Sequence, residues 1–208
     1  MLAAAGLLTI ALAGACTDST VGQATPGGAG STETDTGSPD GEGSPSSSAP
    51  TVEIPPRPQD LSVEGVDPCA LFTQAQRTQL AGQLGFDEPP EPDTLEVDGV
   101  SMPACWVSQS AEPFNAFKLS LVTNEGIDAW LTGERNVDAW LVSIAGYPAV
   151  NYKLMGTDQS ECVTSVGVAD GQQLTVDLQP LERMDYRKLC EITESVATMA
   201  TETLKTLR

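Results

Sequence analysis

The chain has 208 residues, with 29 acidic side chains against 10 basic ones, a formal net charge of −19 and no histidine. A surface this acidic repels phosphate backbones and anionic head groups, which excludes nucleic acid as a partner and docking through a basic patch. The missing histidine excludes Ser-His-Asp and Cys-His catalysis and His-ligated zinc; it leaves carboxylate, Ser-Lys and Tyr chemistry open.

Residues 2–14 form an apolar run of thirteen (LAAAGLLTIALAG). It is too short for a comfortable membrane span and fits the apolar region of a signal peptide, residues 1–15. The run ends in Ala13-Gly14-Ala15-Cys16, followed at once by the polar Thr17-Asp18-Ser19-Thr20. Small residues directly before such a cysteine resemble the lipobox of bacterial lipoproteins. That resemblance implies a diacylglycerol (palmitate-type chains) on Cys16, a mature chain beginning there, and a lipid-anchored location on the outer face of the cell membrane. Ala13 stands where the lipobox prefers Leu, and no Lys or Arg precedes the run, so a start a few codons upstream is expected.

Residues 16–60 carry GGAG, STETDTGSPDGEGSPSSSAP and IPPRP. Gly, Ser, Thr and Pro dominate, and such a segment buries too little surface to offset its ordering entropy. It reads as a disordered tether that stiffens over residues 50–58 and spans roughly 35–40 Å as a coil. Its Ser and Thr are candidate sites for sugars.

Residues 61–208 are long enough for one domain with a real core. Asp67 suits a helix N-cap and Pro68 the first helical position. Leu71, Phe72, Ala75 and Leu80 give this helix an apolar face, and Gly82 or Gly85 ends it. Residues 89–92 (PPEP) read as a loop. Residues 94–97 and 104–108 form a hairpin around Asp98-Gly99. Residues 114–123 form a strand with Phe117, Leu119 and Leu121 inward, and residues 126–133 a short helix. Strands over 139–145 and 148–154 flank Gly146. The last hairpin, 162–169 with 172–178, turns at Asp170-Gly171 and puts Leu174, Val176 and Leu178 on one face. Asp185 then caps a helix to about Leu207, with Leu189, Ile192, Val196, Met199 and Leu207 as its buried stripe. This order predicts an α+β domain whose N-terminal and C-terminal helices pack on one face of an antiparallel sheet.

Cys69, Cys105, Cys162 and Cys190 are an even set in an exported chain, which implies two disulfides among three connectivities. Their spacing lacks the C-x-x-C of a zinc site. The pairing preferred here is sequential, Cys69–Cys105 and Cys162–Cys190, each closing a loop of moderate size.

Several segments occur in a telling order: Asp67-Pro68-Cys69-Ala70-Leu71-Phe72-Thr73, Pro103-Ala104-Cys105-Trp106, residues 144–150 (IAGYPAV), Glu161-Cys162-Val163 and Leu189-Cys190-Glu191. The set resembles the actinobacterial envelope lipoproteins of the domain-of-unknown-function family numbered 3558, over about residues 61–208. It is distantly similar to the extracellular sensor domains of mycobacterial Ser/Thr kinases. The resemblance implies a secreted, disulfide-bonded α+β domain and carries over no catalytic residue. Leu189-Cys190 lacks the Asp-Pro that often precedes the last family cysteine.

Trp106, Trp130 and Trp140 read as packing residues, Trp106 beside its half-cystine above all, with a cleft lining as the sharper alternative. Tyr147-Pro148 suits a turn or a cleft rim. Glu88, Glu91, Asp93, Glu96 and Asp98 lack the order of a calcium loop and read as a solvated face. No serine stands at S-x-x-K spacing to Lys153, Lys188 or Lys205. No catalytic residue, metal site or cofactor is therefore expected. The preferred reading is a non-catalytic, lipid-anchored domain that binds or senses an unknown small molecule at the envelope. The rivals are an accessory that binds an envelope protein, and a hydrolase working without histidine.

Overall fold

The computed structural model describes residues 52–97, 99–156 and 161–208, all inside one compact unit, Pro45–Arg208. The signal segment, Cys16, most of the tether and Asp98 lie outside the described residues.

Seven strands make one antiparallel sheet: β1 Glu91–Val97, β2 Val100–Ser108, β3 Ala116–Val122, β4 Val137–Ile144, β5 Tyr147–Leu154, β6 Val163–Ala169 and β7 Gln172–Gln179. Their spatial order is β1-β2-β3-β7-β6-β5-β4. The sheet thus consists of a β1-β2-β3 meander and a β4-to-β7 meander, joined where β3 meets β7. Strand alternation gives the sheet two faces. Cys105, Phe117, Leu119, Leu121, Val166, Val168, Leu174, Val176 and Leu178 share a buried cluster with Leu189, Ile192, Val196, Met199 and Leu204 of α2 (Tyr186–Leu207). Asp185 caps α2, its carboxylate accepting from the N–H groups of Arg187 and Lys188 at 3.0 and 3.4 Å. Four of the five expected stripe residues are buried. Leu207 is not: it is 53 % exposed, and Leu204 takes its place. The α+β class holds as a sheet with this C-terminal helix and a short helix.

That short helix departs from expectation. Asp67 caps only a 3-10 turn, Pro68–Leu71, by accepting from Cys69 N–H. The chain then restarts as α1, Gln74–Gln79, under a capping box formed by Thr73 and Gln76. Two cap signals six residues apart split what the apolar spacing reads as one helix. Leu71, Phe72 and Leu80 are buried, whereas Ala75 is exposed because α1 itself buries no side chain. Gln76 ties α1 down instead: its Nε2 donates to the Met199 carbonyl at 2.7 Å, and its Oε1 accepts from Thr203 Oγ1 at 2.9 Å. A wide turn, Leu80–Leu84, follows and ends at Gly85 with φ +76°.

Three further differences have local causes. β1 begins at Glu91, so Pro92 lies within a strand rather than a loop; an edge strand tolerates proline. Tyr147 is no rim residue but sits in the first cluster, because the turn is Ala145-Gly146, at φ +51° and +86°. Trp106 lies on the face opposite Cys105 and is half-buried, since adjacent strand residues point opposite ways.

The second face carries a smaller cluster: Ile127, Leu131, Val150, Tyr152 and Val163, with Ile54 and Trp130 packed against it. The 3-10 turn Ile127–Trp130 lies over β5 and β6. Gly167 allows that approach, because a Cβ there would stand 2.9 Å from Ile127 Cδ1. Trp130 is held in a layered stack, with Arg135 above its ring at 4.1 Å and Tyr152 beneath at 3.9 Å and 16°. Its Nε1 donates to Gln173 Oε1 at 2.9 Å, Gln173 donates to Glu125, and Glu125 pairs with Arg135.

Both disulfides join the expected pairs, with Cα–Cα distances of 5.1 Å for Cys69–Cys105 and 5.2 Å for Cys162–Cys190. Contacts with the sheet begin ahead of Leu61. Ile54 packs on the second cluster, and Arg57 pairs with Asp60 at 2.9 Å and with Asp170. Leu61 N–H then donates to the Val168 carbonyl at 2.7 Å.

Candidate functional site

A cleft of about 370 Å3 opens between the short helix and the end of β2. That volume lies within the range of small-molecule sites. Leu80, Phe86 and Val107 are its buried apolar members. Phe86 is fixed edge-on against Phe117 at 4.9 Å, so the core itself sets this wall. Gln74, Arg77, Thr78 and Ala81 line the helical side; Asp87, Glu88, Pro89 and Pro90 line the other. The prolines have no N–H to satisfy and hold the backbone extended.

The polar groups at the cleft differ in freedom. Asp87 is committed: it accepts from Ser110 Oγ at 2.6 Å and from Ser110 N–H at 2.8 Å. The Ser110 hydroxyl, and then its backbone N–H, hold the Asp87 carboxyl below its usual range. The Arg77 guanidinium donates to Gln74 Oε1 at 2.8 Å and forms no ion pair among the described residues. An exposed guanidinium beside an apolar wall suits a ligand with an apolar body and one anionic group.

A second feature lies on the other face. Ser165, Thr175 and Ser120 stand side by side across β6, β7 and β3, with Val163, Asp177 and Lys118 in the next row. The hydroxyls of Ser165 and Thr175 are 2.9 Å apart and buried. Burial raises the Asp177 pKa most, and the Glu161 charge adds to this; Gln179 and Lys118 oppose it. Burial chiefly, then the Asp177 charge, also raises the Tyr152 hydroxyl. An acid raised in the fold favours folding when protonated, so Asp177 is a cost once ionised. Asp177→Asn is therefore expected to raise the Tm at pH 7. The gain should shrink as the pH falls from above the ordinary Asp value toward it, and be nearly gone below about 4. An unchanged or lower Tm at pH 7 contradicts this.

Of the residues singled out in the sequence, Leu80 and Glu88 line the cleft, and the cysteines and tryptophans lie elsewhere. Cys69, Cys105, Cys162 and Cys190 are consumed in the two disulfides. Trp130 belongs to the Arg135–Tyr152 stack, and Trp140 packs edge-on to Tyr186 at 5.5 Å. Lys118 lies over Trp106 at 5.9 Å and pairs with Asp93 at 2.8 Å, which draws Asp93 out of the acidic stretch. Among the described residues no three His, Cys, Asp or Glu side chains gather to hold a metal, and no helix is long and apolar enough to cross a membrane. The cleft residues Arg77, Phe86 and Val107 carry no motif. The one sequence signal near them is Pro89-Pro90, which marks a rigid loop.

A family model described as "Protein of unknown function (DUF3558)" matches residues 11–203. No curated protein and no solved structure matches the chain.

Proposed function

The chain belongs to the DUF3558 family, and from that premise we propose that it is a non-catalytic ligand-binding or sensing domain, lipid-anchored through Cys16 outside the cell membrane. The observation that carries the binding role is the helix–sheet cleft, with Leu80, Phe86 and Val107 in its wall and Arg77, which forms no ion pair among the described residues, on its lining. Two disulfides support an oxidising, extracytoplasmic setting. The apolar run ending in Ala15-Cys16 supports the anchor, and its lipobox and family resemblances support an actinobacterial envelope. In this reading both helical segments cover one face of the sheet, and the cleft forms where the shorter one leaves that face.

Native mass spectrometry of the full chain, gently extracted from its own membrane, tests both parts. The expected mature mass begins at Cys16 and includes a diacylglycerol, with a small molecule retained. Ala81→Trp, which fills the cleft from the helical side, should reduce that retention at least ~10-fold while the lipid mass stays. An empty wild-type protein overturns the binding role. A mature mass without diacylglycerol overturns the anchor.

A further inference from the structure

We infer that the cleft takes a short apolar peptide of two or three residues with both ends free, its carboxylate on Arg77 and its ammonium on Glu88; this rests on the binding reading above. Most polar groups of the lining are already engaged. Thr78 Oγ1 donates to the Gln74 carbonyl at 3.0 Å, and Gln74 Oε1 accepts from Arg77 at 2.8 Å. Asp87 turns both carboxylate oxygens to Ser110. Arg77 and Glu88 differ from these. They line the cleft from its helical side and from its loop side, and both are exposed. Neither forms an ion pair among the described residues, not even with the other.

Two charges of opposite sign that line one cleft without meeting select a ligand that brings a counter-charge to each. An anion alone satisfies Arg77 but meets the carboxylates of Glu88 and Asp87. A cation alone satisfies the carboxylates but meets Arg77. A sugar would need neutral hydrogen-bonding groups, and the wall instead offers Leu80, Phe86 and Val107, all buried and apolar. A free α-amino acid carries both charges on one carbon and cannot set them against opposite sides. An extended peptide of two or three residues holds its ends roughly 7–10 Å apart. Its side chains then fall between the ends, where the apolar wall lies. A cleft of about 370 Å3 stands at the small end of ligand sites, which limits the peptide to that length.

The orientation follows from charge as well. A guanidinium presents paired N–H donors that match a carboxylate, and Arg77 has spent one of its five on Gln74. An ammonium donates three N–H groups, enough for Glu88 and for the lone pairs that Asp87 retains.

Native mass spectrometry of the full chain in mild detergent, titrated with an equimolar mixture of di- and tripeptides of Ala, Val, Leu and Phe, tests this. The expected result is retained peptide. The best-retained one should lose at least ~10-fold in affinity when its amino end is acetylated, and as much when its carboxyl end is amidated. Two variants tie each loss to its residue. Arg77→Gln should bind the acid and the amide alike, and Glu88→Gln the free and the acetylated amine alike. Both side chains are exposed, so both variants should keep the wild-type denaturation midpoint. Blocked forms that bind as well as the free peptide overturn the inference. So do end-group ratios that stay the same in both variants, which would mean that the substitutions merely loosen the cleft. So does the absence of any retained peptide. The binding reading is judged apart, by what the protein retains from its own membrane: a retained species that is not a peptide leaves that reading standing and overturns this one.

Discussion

Phe117→Ala is expected to destabilise the domain by about 3–5 kcal/mol. Phe117 is 0 % exposed and stands in β3, opposite Val107 of β2 and Leu178 of β7. Two further rings meet it edge-on, Phe72 at 5.6 Å and Phe86 at 4.9 Å. Truncation loses the transfer free energy of the ring and leaves a cavity on the sheet's face beside Phe72 and Phe86. The strand backbone, fixed by its hydrogen-bond ladder to β2 and β7, cannot move in to fill it. Phe86 also walls the cleft, so the loss should reach the binding site: ligand retained by the wild type should fall even where the variant is fully folded. Phe117→Leu keeps much of the volume and should cost under about 1.5 kcal/mol. Chemical denaturation of the three proteins checks this. Equal midpoints for Phe117→Ala and Phe117→Leu would show that the ring contacts contribute little.

Replacing both Cys162 and Cys190 by alanine should cost about 3.6 kcal/mol, the chain-entropy value for a crosslink across 28 residues. The bond joins the start of β6 to α2, the one long helix among the described residues, which covers the sheet's larger cluster. A buried polar network extends from it. The Thr193 hydroxyl donates to the Cys190 carbonyl at 3.1 Å and lies 2.7 Å from Thr164 Oγ1. Thr164 donates to Asn151 Oδ1 at 2.8 Å, and Asn151 donates to Glu194 Oε1 at 2.6 Å. These groups are satisfied only while α2 holds its register on β5 and β6, and a buried group left without its partner carries a desolvation penalty. The alanine pair should therefore loosen α2 ahead of β1–β3. Hydrogen exchange should show faster opening across α2, β5 and β6, with the denaturation midpoint lowered. A midpoint within 1 kcal/mol of wild type (about a fivefold change in the folding equilibrium) would mean that packing and the network alone hold the helix.

Strand positions were legible in the sequence wherever a period-two pattern met a turn signal. Phe117, Leu119 and Leu121 alternate along β3, and Asp170-Gly171 marks the last hairpin, so both appear where the pattern puts them. Asp185 and the stripe from Leu189 to Met199 likewise fix α2, because a cap and a 3.6-residue period are local properties. The first helix was less legible. Asp67 and Thr73 are both sound caps, and periodicity does not say which one starts the helix. Trp106 was misplaced for a related reason: its neighbour Cys105 is a core residue, and in a strand that fact sends Trp106 to the other face.

By itself the sequence determined the acidic, histidine-free chemistry, the apolar run that ends at Cys16, the likeness to the DUF3558 family, and the seven strands and the C-terminal helix. Each of these is set by composition or by residues near one another along the chain. Tertiary structure alone decided that β3 pairs with β7 and so joins two meanders into one sheet. It also brought Arg77 and Leu80 from one segment, Phe86 and Pro89 from a second and Val107 from a third to a single cleft. Such juxtapositions depend on non-local pairing, whose driving force is burial summed over many side chains, and no window of the sequence contains that sum.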